Sequence, residues 1–247
     1  EMDGSQLKVR VTNESGHKLP SGYPEGRRMW INVRFTDAKG AVIAEVGGYD
    51  SSTATLDTTG TKVYQAKHGT TQEIAKLTGI PAGENFHLAL ANKRYFDNRI
   101  PPRGFGNKAF AAIGSEPVGY AYADGQHWDD TWFDVPAGAA SATVTLYYQT
   151  TTRDYIEFLR DANVTNTRGQ EAYDAWSATG KSAPVAMDSA SIELSTSTPG
   201  DFDGNGVVDA ADLATLLSSW AMPGPTDLDG NGTTDAADLS ILLANWG

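Results

Sequence analysis

The sequence contains no cysteine, which excludes disulfide scaffolds, thiolate metal sites, iron-sulfur clusters and the CxxCH attachment of a c-type haem in one step. It has no apolar run near the roughly 18 residues that cross a bilayer, so no membrane span is expected. Its first residues, Glu1-Met2-Asp3-Gly4, have neither the basic start nor the apolar stretch of a signal peptide. An exported form is therefore expected to have lost its leader. Basic residues are also scarce: 19 Lys and Arg against 31 Asp and Glu give a net charge of −12. Nucleic-acid binding needs clustered cations that displace counterions, so no nucleic acid is expected as a partner and a cationic ligand fits better. What remains is an ordinary globular composition, 40% hydrophobic and 20% charged over 247 residues. That is the size of one large β domain, or of a medium domain with a small one.

The acidity concentrates at the end of the chain. Residues 201–247 hold eight Asp and no Glu, Lys or Arg, so this tail carries −8 of the −12 and leaves −4 for the first 200 residues. Ahead of it lies Ser195-Thr196-Ser197-Thr198-Pro199-Gly200, whose small polar residues and Pro-Gly ending cannot build a core and read as a linker. The expected organisation is a β domain over 1–194, a linker over 195–200 and a small domain over 201–247.

The tail repeats itself: DFDGNGVVDAADLATLLSSW (201–220) and DLDGNGTTDAADLSILLANW (227–246) agree at 13 of 20 positions. Each copy follows D-x-D-x-N-G-x-x-D-x-x-D. A calcium ion wants six to eight oxygens at about 2.3–2.6 Å, so a loop that binds it must curl around one point, with a glycine at the sixth position for the turn and a backbone carbonyl from the seventh. The expected ligands of one ion are Asp201, Asp203, Asn205, the Val207 carbonyl, Asp209 through water and Asp212. Those of a second are Asp227, Asp229, Asn231, the Thr233 carbonyl, Asp235 and Asp238. Magnesium fits less well, because it prefers a smaller octahedral shell and keeps its waters. After each loop the apolar residues fall at helical spacing, Leu213, Leu216, Leu217, Trp220 and Leu239, Leu242, Leu243, Trp246, which predicts two amphipathic helices packed on one another or offering a partner groove. So short a segment rarely buries enough surface to fold alone, so metal binding is expected to supply much of its folding free energy.

With its two loop-helix repeats, Asp at the twelfth loop position and no helix ahead of either loop, the tail resembles the type I dockerin modules, which dock onto cohesin domains. The resemblance covers roughly residues 200–247 and implies that the faces near Ala210, Ala211, Ala236 and Ala237 contact the partner, a cohesin-like β-sandwich. At these positions the family often carries hydroxyl residues, where this chain has alanines.

The first 200 residues read as β. Residues 6–13, 29–37, 85–90 and 142–149 alternate apolar and polar side chains, and Asp37-Ala38-Lys39-Gly40 before Ala41-Val42-Ile43-Ala44 reads as a hairpin. Short helices are expected over 154–160 and 170–178, the latter with Ala172, Ala175 and Trp176 at helical spacing. Many short strands with Gly and Pro punctuation predict a mainly β fold, a β-sandwich with short helices, followed by the small all-α calcium-binding dockerin-like domain.

The segments 15–33 (SGHKLPSGYPEGRRMWINV), 97–105 (DNRIPPRGF) and 147–161 (YYQTTTRDYIEFLRD) resemble an uncharacterised β-rich domain that accompanies bacterial multihaem cytochromes. That resemblance implies a fold and an exported setting; with no cysteine, no haem is expected. No GxSxG, HExxH, P-loop or GxGxxG template occurs. His17, His68, His87 and His127 lie far apart in sequence and read as isolated histidines. Asp124-Gly125-Gln126-His127-Trp128-Asp129-Asp130 fits a plain turn better than a further calcium site. Trp128, Trp132, Tyr120 and Tyr122 read as packing ahead of a sugar platform. Arg27, Arg28, Arg99 and Arg103 are expected to pair with carboxylates.

The functional expectation is a non-catalytic extracellular or cell-surface protein whose calcium-loaded tail attaches it to a cohesin-like partner, or to the β domain of another copy, giving a ring or filament. The alternative is a polysaccharide-active enzyme or carbohydrate-binding module anchored by its dockerin.

Overall fold

In the computed structural model, which describes residues 1–3, 5–194 and 198–247, strands outnumber helices and the helices are short. Three residues of the expected linker, 195–197, lie outside the described residues. The strands are β1 (Met2–Asp3), β2 (Gln6–Thr12), β3 (Arg28–Thr36), β4 (Val42–Val46), β5 (Tyr49–Asp50), β6 (Thr55–Leu56), β7 (Val63–Tyr64), β8 (Ala66–Thr70), β9 (Gly83–Glu84), β10 (Lys93–Asp97), β11 (Trp128–Asp134), β12 (Ser141–Gln149) and β13 (Val185–Glu193). The helices are α1 (Gln72–Thr78), α2 (Asn107–Ala112), α3 (Arg153–Ala162), α4 (Arg168–Ala178), α5 (Ala210–Ser218) and α6 (Ala236–Ala244). The strands form sheets in the orders β1-β2-β11, β10-β8-β9, β13-β12-β3-β4 with β7 against β3, and β5-β6. The architecture is mainly β, with several sheets and short helices.

The chain divides into two compact units: Glu1–Phe35, Val42–Pro136 and Ala142–Ile192 form the first, and Thr36–Ala41, Ala137–Ser141 and Glu193–Gly247 the second. The unit that holds the repeats thus also takes in two turns.

In the first unit the alternation of β2 does what its period predicts. Leu7 and Val11 are buried while Arg10 and Thr12 are exposed, and antiparallel pairing sets Arg10 opposite Asp130 of β11, where the guanidinium forks onto the carboxylate at 2.7 and 2.8 Å. Strand β3 departs from that pattern. Met29, Trp30, Ile31 and Val33 are all sealed from solvent, because β3 lies inside its sheet between β12 and β4, and Trp30 stacks on both Tyr49 and Tyr147. An interior strand covered on both faces reads as a continuous apolar run. The strand expected over 85–90 is not formed. Asn85 accepts from the His87 backbone N–H and donates to Thr70 Oγ1 and the Gly83 carbonyl, a side-chain turn that ends the strand; a short 3-10 helix over Leu88–Leu90 follows. The two helices expected near 154–160 and 170–178 form as α3 and α4, joined through a cluster of Ala54, Ile156 and Trp176.

Two buried carboxylates organise this unit. Asp129 accepts from the Tyr64 and Tyr120 hydroxyls and lies 2.9 Å from Lys62 Nζ; burial, reinforced by the Asp129 charge, raises both phenols so that they stay protonated donors. Asp97 is fully buried and meets Lys18, Arg94 and Arg99 at 2.8, 3.1 and 2.8 Å. Burial alone would raise its carboxyl, but the hydrogen bonds and charges of Arg99 and Lys18 outweigh it and hold it at about 2.

In the second unit, the expected hairpin turn closes through Asp37 N–H to the Ala41 carbonyl and Gly40 N–H to the Asp37 carbonyl. Ala140 N–H donates to the Thr36 carbonyl and Leu194 N–H to the Ala140 carbonyl.

Candidate metal centres in the C-terminal repeats

Each Asp-rich loop wraps its own carboxylates. Asp201 accepts the backbone N–H groups of Gly204, Asn205 and Gly206, and Asp212 accepts those of Phe202, Asp203 and Asp209. The second loop repeats the scheme: Asp238 accepts from Leu228, Asp229 and Asp235, and Asp227 from Asn231 and Gly232. Gly206 and Gly232 stand at φ +88° and +95°, the left-handed region that glycine enters without strain, so the sixth position makes the turn in both copies.

The helices start where the loops end. Asp209 and Asp235 are the N-caps of α5 and α6, accepting from Ala211 and Ala237, and Asp212 and Asp238 return the bond as the fourth residue of a capping box. The twelfth loop residue therefore serves loop and helix together. Backbone donation from Asp209 and Asp235 is the chief cause that holds the Asp212 and Asp238 carboxyls below the usual range, so both are charged at neutral pH.

The folded loops bring one oxygen each of Asp201, Asp203 and Asp212 within 4.8 Å of one another, and likewise Asp227, Asp229 and Asp238. Residues 198–247 contain no Lys, Arg or His to balance them. Three carboxylate oxygens around one point, each copy held by a loop of backbone donors, can hold a metal ion, and an all-oxygen set suits a hard cation. The expected Asn ligands are hydrogen-bonded within their own loops. Asn205 Oδ1 accepts from Val207 N–H and its Nδ2 donates to Asp203; Asn231 does the same toward Thr233 and Asp229. Asp209 and Asp235 face their helix caps, accepting from the Ala211 and Ala237 N–H groups, and neither joins the carboxylate triads.

The repeats lock onto one another. Val208, Leu216 and Leu242 form a buried cluster with Phe202, Leu213, Leu228 and Leu239 packed against it. The eighth residue of each loop binds the end of the other copy's helical segment: Gly247 N–H donates to the Val208 carbonyl, Ala221 N–H to the Thr234 carbonyl, and Thr234 N–H to the Met222 carbonyl. Periodicity located the helices but not which stripe residues are covered. Leu217, Trp220, Leu243 and Trp246 are exposed by between 41% and 52%, and the four alanines at the helix starts are exposed too.

The remaining sequence candidates scatter. Asp124 accepts from Asn107, Asp129 faces the tyrosines and Asp130 faces Arg10, so the oxygens of 124–130 diverge. Tyr122 is buried, and Trp128 and Trp132 are overlain by Arg10 and Lys8 at 5.2 and 5.9 Å, so the four aromatics build no common platform. Arg99 and Arg103 pair with Asp97 and Glu14. Arg27 and Arg28 instead donate to the Ser21 carbonyl and to Gln149, and the Arg28 guanidinium lies over the Trp30 ring at 5.4 Å. His17, His87 and His127 sit beside Ser15, Phe158 and Trp128 respectively, while His68 meets Glu25, a pairing that nothing in the sequence signals.

No family model and no curated protein matches the chain. Among solved structures, it is similar to a penta-heme cytochrome c552 from Thermochromatium tepidum, with 16% identity and a TM-score of 0.45 over 78% of this chain and 37% of that one. The chain thus spans little more than a third of that cytochrome's length, and it has no cysteine for covalent haem attachment. Among the described residues no helix is long and apolar enough to cross a membrane.

Proposed function

We propose that this chain is a non-catalytic extracellular attachment protein, in which a tail with two bound calcium ions docks onto a β-sandwich face. The observation that carries the reading is the duplicated loop: two carboxylate triads of the same spacing, each joined to the first turn of a helix by a capping box. Calcium between the carboxylates rigidifies the helix starts, and these present Ala210, Ala211, Ala236 and Ala237, small residues that let a partner surface approach closely. Exposed Leu217, Trp220, Leu243 and Trp246 add apolar area of the kind that marks a contact surface. The architecture of a dockerin-like module supports a cohesin-like β-sandwich as partner.

The first unit is read as a β-sandwich of that general kind. Leu7 and Val11 of β2, Val144 and Leu146 of β12 and Met187 of β13 line one cavity of about 680 Å³, which supports two sheets facing each other. A neighbouring copy therefore offers a suitable partner, and docking tail to β unit would build head-to-tail assemblies.

Light scattering of the full chain, with calcium and with chelator, tests this reading beside an Ala211→Arg/Ala237→Arg double variant. Calcium-dependent assembly that the double variant abolishes is expected. A full-length monomer at high concentration and saturating calcium excludes self-docking and leaves a separate receptor, for which immobilised cohesin domains are the next probe.

A further inference from the structure

Away from the Asp-rich loops, a cavity of about 360 Å³ lies in the first unit, bordered by the turn at Pro24–Arg28, by β8 and by β9. That is a volume in which small-molecule sites begin to fall. Several of the charges on its walls are balanced within the chain. Lys67 pairs with Glu84 at 3.2 Å, and His68 stands 3.3 Å from Glu25. Asp154, in the first turn of α3, is exposed to solvent. Two cations are left over: Arg27 donates to the Ser21 carbonyl and Arg28 to Gln149, and neither meets a carboxylate among the described residues.

Uncharged groups hold both guanidiniums in place. Arg28 opens β3, and its Nε donates at 2.9 Å to Gln149 Oε1. Gln149 is sealed from solvent and is itself fixed, donating to the Tyr49 hydroxyl and the Ser182 carbonyl. The Arg28 guanidinium also lies over the Trp30 ring at 5.4 Å. Its orientation is thus set from two sides, while its terminal nitrogens have no partner among the described residues. Burial pushes this guanidinium below its usual range, as expected of a charge withdrawn from water without a counterion. Arg27 Nη1 is pinned between the Ser21 carbonyl at 2.9 Å and Gly22, where φ is +79° and a Cβ would collide with it.

A guanidinium is a planar fork that matches the two oxygens of a carboxylate. The same cavity is lined by apolar groups, among them Pro24, Val63, Ala66 and Phe86. We propose that it binds a small amphiphilic carboxylate of the size of benzoate, whose oxygens take the place of the carboxylate that Arg27 and Arg28 lack and whose apolar body rests on Phe86 and Val63. Inorganic phosphate would leave that apolar lining uncovered, so an organic acid fits better. The site needs no metal ion, which separates it from the Asp loops.

Calorimetric titration of the full chain in saturating calcium, with sodium benzoate, benzamide and sodium phosphate in turn, tests the proposal. One benzoate is expected to bind per chain and to raise the unfolding temperature. Benzamide has the shape without the charge and phosphate the charge without the apolar body, so each should bind at least about tenfold more weakly. Arg27→Gln and Arg28→Lys should each weaken benzoate binding by roughly tenfold, the lysine because it keeps the charge but loses the fork. Arg103→Gln, whose guanidinium pairs with Glu14 away from the cavity lining, should leave binding unchanged. Unfolding temperatures measured without ligand verify that each variant is folded; Arg27→Gln carries the test should Arg28→Lys fail to fold. No benzoate binding, equal binding of benzamide or phosphate, or equal benzoate binding by the unaltered chain and Arg27→Gln, overturns the proposal.

Discussion

Asp97 of the first unit and Asp212 of the repeats are both sealed from solvent, and their surroundings neutralise them in opposite ways. Asp97 has three cationic side chains within 3.1 Å. Asp212 has backbone donors and two neighbouring carboxylates, in a segment without one basic residue. A charge balanced from within the chain needs no ion from solution; a triad of like charges is expected to recruit its counterion from solution, and its folding should then follow that ion's concentration. The Asp97 cluster is thus closed by cations of the chain itself, whereas the carboxylates of the Asp212 loop are left open.

The comparison is broken most severely by deleting a carboxylate from the open part. Asp212→Ala removes a charged ligand, a capping-box partner and an acceptor of three backbone N–H groups, so calcium binding to the first loop should weaken by roughly a hundredfold or more. Because Val208 and Thr234 tie each loop to the other copy's helical end, the second loop should lose affinity too. Calcium calorimetry with far-ultraviolet circular dichroism checks both statements.

Next in size is the closed part. Asp97→Ala strands Lys18, Arg94 and Arg99 without their shared partner, and breaking a buried pair by removing one member costs about 3–5 kcal/mol. Urea unfolding should show this loss equally with calcium and with chelator. A calcium-dependent loss would mean that the two kinds of charge balance are coupled.

Acid separates them more gently. The Asp97 carboxyl lies at about 2 in the folded chain, below its unfolded value near 3.9, so its contribution is fully present above about pH 5 and disappears as pH falls through 2. That amounts to about 2.5 kcal/mol. Urea midpoints of the unaltered chain between pH 5 and pH 2.5 should fall more steeply than those of Asp97→Asn. The smallest effect belongs to a charge without its geometry: Asp235→Asn keeps an N-cap side chain of equal quality, so helix α6 persists and calcium affinity drops only a few-fold.

Legibility in the sequence followed the range of the interactions. The loops were readable because every partner of Asp212 lies within about ten residues and the pattern occurs twice. Strands β2 and β12 were readable from their alternation. Strand β3 was located, but its double-sided burial depends on β12 and β4, which sequence periodicity cannot see. Asn85 turned an apparent strand into a turn through Thr70, fifteen residues away. The Glu25 and His68 pair spans 43 positions with no motif between them, so only folding brings it together. Helical spacing likewise grouped Leu216 with Leu217, although the first is buried and the second is half exposed; which side of a stripe is covered is a tertiary fact.

The central claim, that the repeats depend on calcium from solution while the first unit does not, meets its most direct test in a calcium titration of the chelator-stripped full chain, followed by calorimetry and circular dichroism together. The account predicts two ions bound per chain and a gain in helical signal that saturates with them, while hydrogen exchange of the buried strand β3 stays equally slow throughout. Fewer than two ions, or a helical signal indifferent to calcium, would contradict it.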